Sequence, residues 1–167
     1  HMGGVPDELV IWLVEKGLDI NVPDYYGATP LYRQAILGRD TVKLLCELGA
    51  DIEKPNTYGD TPLHMAAEFF HPRTVKFLID KGANVNVEND MGRTPLASVL
   101  MVCRGIYIAQ TAEIASMLLE AGAKKTSKMK ERVEQIGKDF EFHRESIHPD
   151  YIEAADKGLT KLYELFD

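Results

Sequence analysis

Side chains able to do chemistry are few in this sequence, and none stands at a spacing that builds a reaction centre. The five histidines are His1, His64, His71, His143 and His148. His143 and His148, with Glu141 and Glu145 nearby, are the types that ligate a divalent metal. No His pair falls at the i, i+4 separation that puts two imidazoles on one helical face, and Pro149 interrupts the segment. Cys46 and Cys103 lie 57 residues apart in apolar contexts. That is neither a disulfide framework nor a metal-ligand spacing; it reads as two reduced, buried thiols of a cytoplasmic protein. A Gly-rich phosphate loop, His-Glu-x-x-His, Cys-x-x-Cys and Gly-x-Ser-x-Gly are all missing. These residues predict no enzyme, no cofactor and no metal.

The composition narrows the remaining classes. The chain has 167 residues, 45% apolar, with 19 Lys and Arg against 26 Asp and Glu and a net charge of −7. That suffices for one domain with a sizeable core. The longest apolar stretches, 9–14 and 96–103, are far shorter than the roughly 20 residues a membrane span needs, so no membrane partner is expected. The acidic balance argues against a nucleic-acid partner, whose footprint is a basic excess. No secretory signal is visible: His1-Met2 reads as an expression scar, and Gly3-Gly4-Val5-Pro6 is no apolar core of a leader. A cytoplasmic location is the expectation.

The elements that position everything else show themselves as a repeat. Thr-Pro-Leu occurs at 29–31, 61–63 and 94–96, each with a glycine two residues ahead: Gly27, Gly59 and Gly92. A second series, at Gly17, Gly49, Gly82 and Gly122, ends the intervening segments with spacings of 32, 33 and 40. Thr suits the N-cap, and Pro suits the first helical position, where no amide donor is needed. Leu63, Ala66, Ala67 and Phe70 follow helical spacing, and Val75, Leu78 and Ile79 form the apolar face of a second helix stopped by Gly82. The stretch 83–87 alternates, and Asn89-Asp90-Met91-Gly92 reads as a turn. Helices of roughly 8–10 residues are not stable alone, so such units must stack.

These residues resemble the ankyrin repeat. Its pattern is Gly-x-Thr-Pro-Leu-His-x-Ala-Ala, a second helix, then Gly-Ala-Asp/Asn-hydrophobic-Asn. Residues 59–86 (GDTPLHMAAEFFHPRTVKFLIDKGANVN) match most of it, and the resemblance covers roughly 9–123. The first unit departs at Tyr32, which replaces the family's His, and the third at Ala97. The resemblance implies an all-α solenoid of helix-turn-helix units joined by β-hairpin or turn loops. Its divisions are a partial unit at 7–22, full units at 23–55, 56–88 and 89–123, an atypical helix or linker at 124–148 and a divergent cap at 149–167. It also implies that His64 bonds the Thr and loop backbone. Leu13 with Asp19-Ile20-Asn21 is similar to the asparaginyl-hydroxylation pattern of such arrays, but Asn21 and Asn86 read more simply as stabilisers of the hairpin.

Three segments fall outside the clean pattern. Residues 7–16 read as a second helix without its first, with Leu9, Leu13 and Trp12 facing inward. That suggests an N-terminal truncation or an exposed apolar edge, through which the chain would self-associate. About seven extra residues near 104–110 either lengthen both helices of the third unit or form a loop on one face. Lys124, Lys125, Lys128, Lys130 and Arg132, set against Glu131, make 124–132 locally basic. A helix is expected over about 127–142, and 149–167 is expected as two short helices turning at Gly158.

Function then falls to recognition. The resemblance places Tyr25, Tyr26 and Ala28 on the tip of the first full unit, Thr57, Tyr58 and Asp60 on the second, and Asp90, Met91 and Arg93 on the third. It gives Ile36, Leu37, Glu68, Phe69, Met101 and Val102 as the facing positions of the first helices. Tyr, Met, Phe and Arg are the types enriched at interface cores. The expectation is a non-catalytic module that recognises a protein partner of basic or mixed surface through its concave face and hairpin tips. The alternative is an accessory or regulatory subunit contacting nucleic acid or an enzyme through 124–132.

Overall fold

The computed structural model describes residues 7–167; His1 and the 3–6 segment lie outside them. Nine α-helices follow in order: α1 (Asp7–Glu15), α2 (Pro30–Leu37), α3 (Thr41–Glu47), α4 (Pro62–Glu68), α5 (Pro72–Asp80), α6 (Pro95–Val102), α7 (Ile108–Glu120), α8 (Ser127–His143) and α9 (Pro149–Phe166). Short 3₁₀ turns sit at Gly105–Tyr107 and Arg144–Ser146. No strand forms among the described residues, so the loops between units are turns rather than paired strands.

The starts of the first helices obey their local chemistry. Pro30, Pro62 and Pro95 open α2, α4 and α6. The Thr29 hydroxyl accepts from the Tyr32 amide at 3.2 Å, and Thr94 from the Ala97 amide at 3.3 Å. Thr61 and His64 form a reciprocal capping box. Gly82 ends the α5 segment with φ +89°, the left-handed conformation expected of it. Phe70 departs from the helical pattern: α4 stops at Glu68, and Phe70 takes φ +58° beyond it.

First helices α2, α4, α6 and α8 pack side by side, and α5, α7 and α9 pack in series behind them. One continuous core runs from Ala28 to Phe166. Within it α8 occupies the place of a fourth first helix beside α6, and α9 that of a fourth second helix beside α7 and α8. The helix expected over about 127–142 is α8, whereas 149–167, expected as two short helices, is the one continuous helix α9. Gly158 is not a turn. It lies inside α9, buried against α7, where a β-carbon would come within 2.8 Å of Ala109 Cα. Gly158 lets α9 seat against the start of α7, and the helix runs straight through it.

The insertion does two things. It forms the 3₁₀ turn at Gly105–Tyr107, and it lies ahead of α7, which has 13 residues against 9 in α5. At the other end, no residue of α1 is buried; Leu9 and Trp12 are 44% and 51% exposed, against the inward orientation expected of them. Among the described residues α1 has neighbours on one side only, and that side takes Val10 into the edge of the core.

Candidate functional site

The tips are built by one device used three times. Asp24, Asn56 and Asn89 each turn a side-chain oxygen back onto two amides of their own loop. Asp24 Oδ1 accepts from Tyr26 and Ala28 at 2.8 and 3.0 Å, Asn56 Oδ1 from Tyr58 and Asp60 at 2.9 Å, and Asn89 Oδ1 from Met91 and Arg93 at 3.0 Å. The turn is thus fixed without strand pairing. Backbone bonds then join tip to tip: Thr57 N–H donates to the Tyr26 carbonyl and Asp90 N–H to the Tyr58 carbonyl, both at 3.0 Å. Gly59 is required there twice over. Its φ of +77° favours glycine, and a β-carbon would lie 2.9 Å from the Asp90 amide nitrogen.

Across these rungs Tyr26, Tyr58 and Met91 occupy one register and project outward, 54%, 59% and 63% exposed. Tyr25 is more exposed still and meets Tyr26 edge to face. Thr57 and Asp90 are exposed, while Asp60 and Arg93 are half-buried. Asp60 Oδ1 accepts from Asn89 Nδ2 at 2.7 Å, which braces the next tip. The expected tip residues are therefore brought into one strip, except Ala28, which is buried in the core just ahead of α2. Behind it the first helices add two further rows, Ile36, Glu68 and Met101, then Leu37, Phe69 and Val102. Leu37, Phe69, Met101 and Val102 are exposed, and Ile36 and Glu68 are half-buried.

The position of the family's capping His shows how the strip is held. Thr61 N–H donates to His64 Nδ1 at 3.1 Å, so Nδ1 carries the lone pair. The proton is then on Nε2, which donates to the Arg93 carbonyl of the next unit at 2.9 Å. Burial lowers the His64 pKa and keeps it neutral in this role. In the first unit Tyr32 takes the position, and its hydroxyl accepts from Asn56 Nδ2 at 2.8 Å. Burial first, then the Asp60 and Glu68 charges, push the Tyr32 pKa up to about 12. A second set of links runs along the other loops: Asn21 Oδ1 accepts from Asp51 N–H at 2.8 Å, Glu53 from Asn84 N–H at 2.7 Å, and Asn86 Oδ1 from Lys124 N–H at 2.9 Å.

Glu68 differs from its row. Burial raises its carboxyl pKa, the neighbouring Ser98 hydroxyl opposes that shift, Asp60 adds to it and Arg93 opposes it. Ser98 is 1% exposed, yet its Oγ meets no partner in hydrogen-bond geometry.

The basic segment is largely occupied within the chain. Lys125 Nζ donates to the Leu165 carbonyl at 2.8 Å, and Lys130 pairs with Asp167 at 3.5 Å. Arg132 donates to the carbonyls of Leu100 and Met101 at 3.0 and 3.3 Å, closing the end of α6. Burial pushes the Cys103 thiol up to about 11 and also raises Cys46, so both stay protonated at neutral pH. Among the described residues no three His, Cys, Asp or Glu side chains gather as a metal site, and no helix is long and apolar enough to cross a membrane.

Sequence reasoning missed Asn56 and Ser98. The first had a usable signal, a side-chain acceptor three residues ahead of a turn glycine; the second had none. Residues 52–129 match the family model described as ankyrin repeats, in three copies. No curated protein matches the chain.

Proposed function

We propose that this chain, which matches ankyrin repeats over residues 52–129, a repeat class that generally serves protein–protein interaction, is a recognition module whose partner lies along the tip strip and the concave rows of the first helices. The observation that carries this reading is the register of Tyr26, Tyr58 and Met91, displayed outward from tips whose backbones are bonded to one another. An aromatic and thioether strip on a rigid support binds with little loss of conformational freedom. The site consists of Tyr25, Tyr26, Thr57, Tyr58, Asp60, Phe69, Asp90, Met91 and Arg93. Its partner is a protein of basic or mixed surface and its action is non-catalytic. The intramolecular contacts of Lys125, Lys130 and Arg132 disfavour a reading through 124–132.

The test is a double variant, Tyr26→Ala with Tyr58→Ala. Exposed side chains contribute little to stability, so the melting temperature should stay within a few degrees of the parent. Proteins captured from a native lysate by the parent should be absent from the variant's eluate. A collapse of stability would place both tyrosines in the core and remove the site.

A further inference from the structure

We propose that Glu68 is the specificity-determining residue of the concave groove, receiving a lysine or arginine side chain from an apolar-flanked basic segment of the partner. This deepens the recognition reading above and rests on it. The aligned first-helix positions read Ile36, Glu68, Met101 in one row and Leu37, Phe69, Val102 in the next. A single carboxylate therefore sits at the middle of an apolar surface.

Half-burying a carboxylate costs hydration that an ion pair or hydrogen bonds normally offset. Among the described residues no cation lies within ion-pair distance of Glu68, although Arg33, Lys43, Lys76, Arg132 and Arg144 all find partners. Beside it Ser98, buried to 99 parts in 100, sets its hydroxyl against the Glu68 carboxyl, where it opposes the rise in pKa, and has no other partner. Asp60 adds a second negative charge that raises the Glu68 pKa further, and Arg93, near enough to oppose that shift, forms no ion pair with Glu68. The overall charge of −7 favours association with a basic partner. A long basic side chain satisfies every part of this arrangement. Its charged head meets Glu68, its methylene stem lies over the apolar side chains next to that carboxylate, and its apolar neighbours rest on the rest of the two rows.

The experiment pans a random peptide display library on the full chain and measures the selected peptides against Glu68→Gln, Phe69→Ser and the Tyr26→Ala, Tyr58→Ala double variant. Glu68→Gln keeps the shape and removes the charge, and its melting temperature is checked to show that it folds. The expected peptides carry Lys or Arg between apolar residues and bind Glu68→Gln weaker by roughly tenfold or more. Peptides that lose binding to the Phe69 or tyrosine variants but show no basic enrichment, and bind Glu68→Gln unchanged, overturn the role of Glu68 and leave the recognition site standing. Peptides indifferent to all the variants, or a library that yields no binder, overturn the site itself and this inference with it.

Discussion

The rings of Phe70 and Tyr107 stack with centroids 4.2 Å apart and planes 1° from parallel, and through them the insertion of the third unit grips the second. Phe70 holds φ +58° at the position where the first unit has Gly38 at φ +61°. A left-handed phenylalanine costs about 1–2 kcal/mol, and its stacking on Tyr107 offsets part of that. Tyr107→Ala should lower the stability by roughly 1 kcal/mol, or about 2–4 °C in melting temperature for a chain of this size. An unchanged melting curve would show that the stack holds nothing.

His64 should make stability depend on pH in one direction. Its folded pKa is below the ordinary 6.5, so the unfolded chain takes up the proton first. Its stabilising contribution is complete above the unfolded-state value and is lost as pH falls from there towards the folded value. Urea midpoints measured between about pH 7.5 and 5.5 should fall more steeply for the parent than for His64→Gln. Equal slopes would mean that the imidazole does not titrate with folding.

Gly158→Ala reverses the usual sign of a helical glycine replacement. In an open helix that change gains up to about 1 kcal/mol. Here the new methyl meets the Ala109 backbone, and a loss of roughly 1–3 kcal/mol is expected in equilibrium unfolding.

The cations of 124–132 should separate by role. Arg132→Ala removes the donors that close α6 and should cost about 1–2 kcal/mol. Lys128→Ala, at an exposed position, should stay within about 0.5 kcal/mol of the parent. Thermal melts of the two variants decide it; equal effects would remove the structural role assigned to Arg132.

What could be read from the sequence was what local chemistry dictates. Thr29, Thr61 and Thr94 cap, the following prolines start helices, and Gly82 stops one, each through its own backbone and side chain. His64 and the tip residues were legible only through their resemblance to family positions. The failures share a cause. Gly158 looks like a turn until Ala109 is seen against it, and Phe70 looks helical until Tyr107 supplies a reason to leave the helix. Arg132 looks like part of a charged face until the end of α6 is placed beneath it. In each case the deciding partner is tens of residues away in the chain.

The bonds from Thr57 to Tyr26 and from Asp90 to Tyr58 involve only main-chain atoms. Apart from the glycines between them and the exclusion of proline at the donors 57 and 90, nothing in that attachment depends on which side chains occupy 26, 57, 58, 90 or 91. The support and the message are therefore separable. A redesigned set of outward residues could be written onto these tips while the spacing of the display stays as it is. Conversely, under the recognition role proposed above, drift at these positions would change the partner without leaving a trace in the stability of the fold.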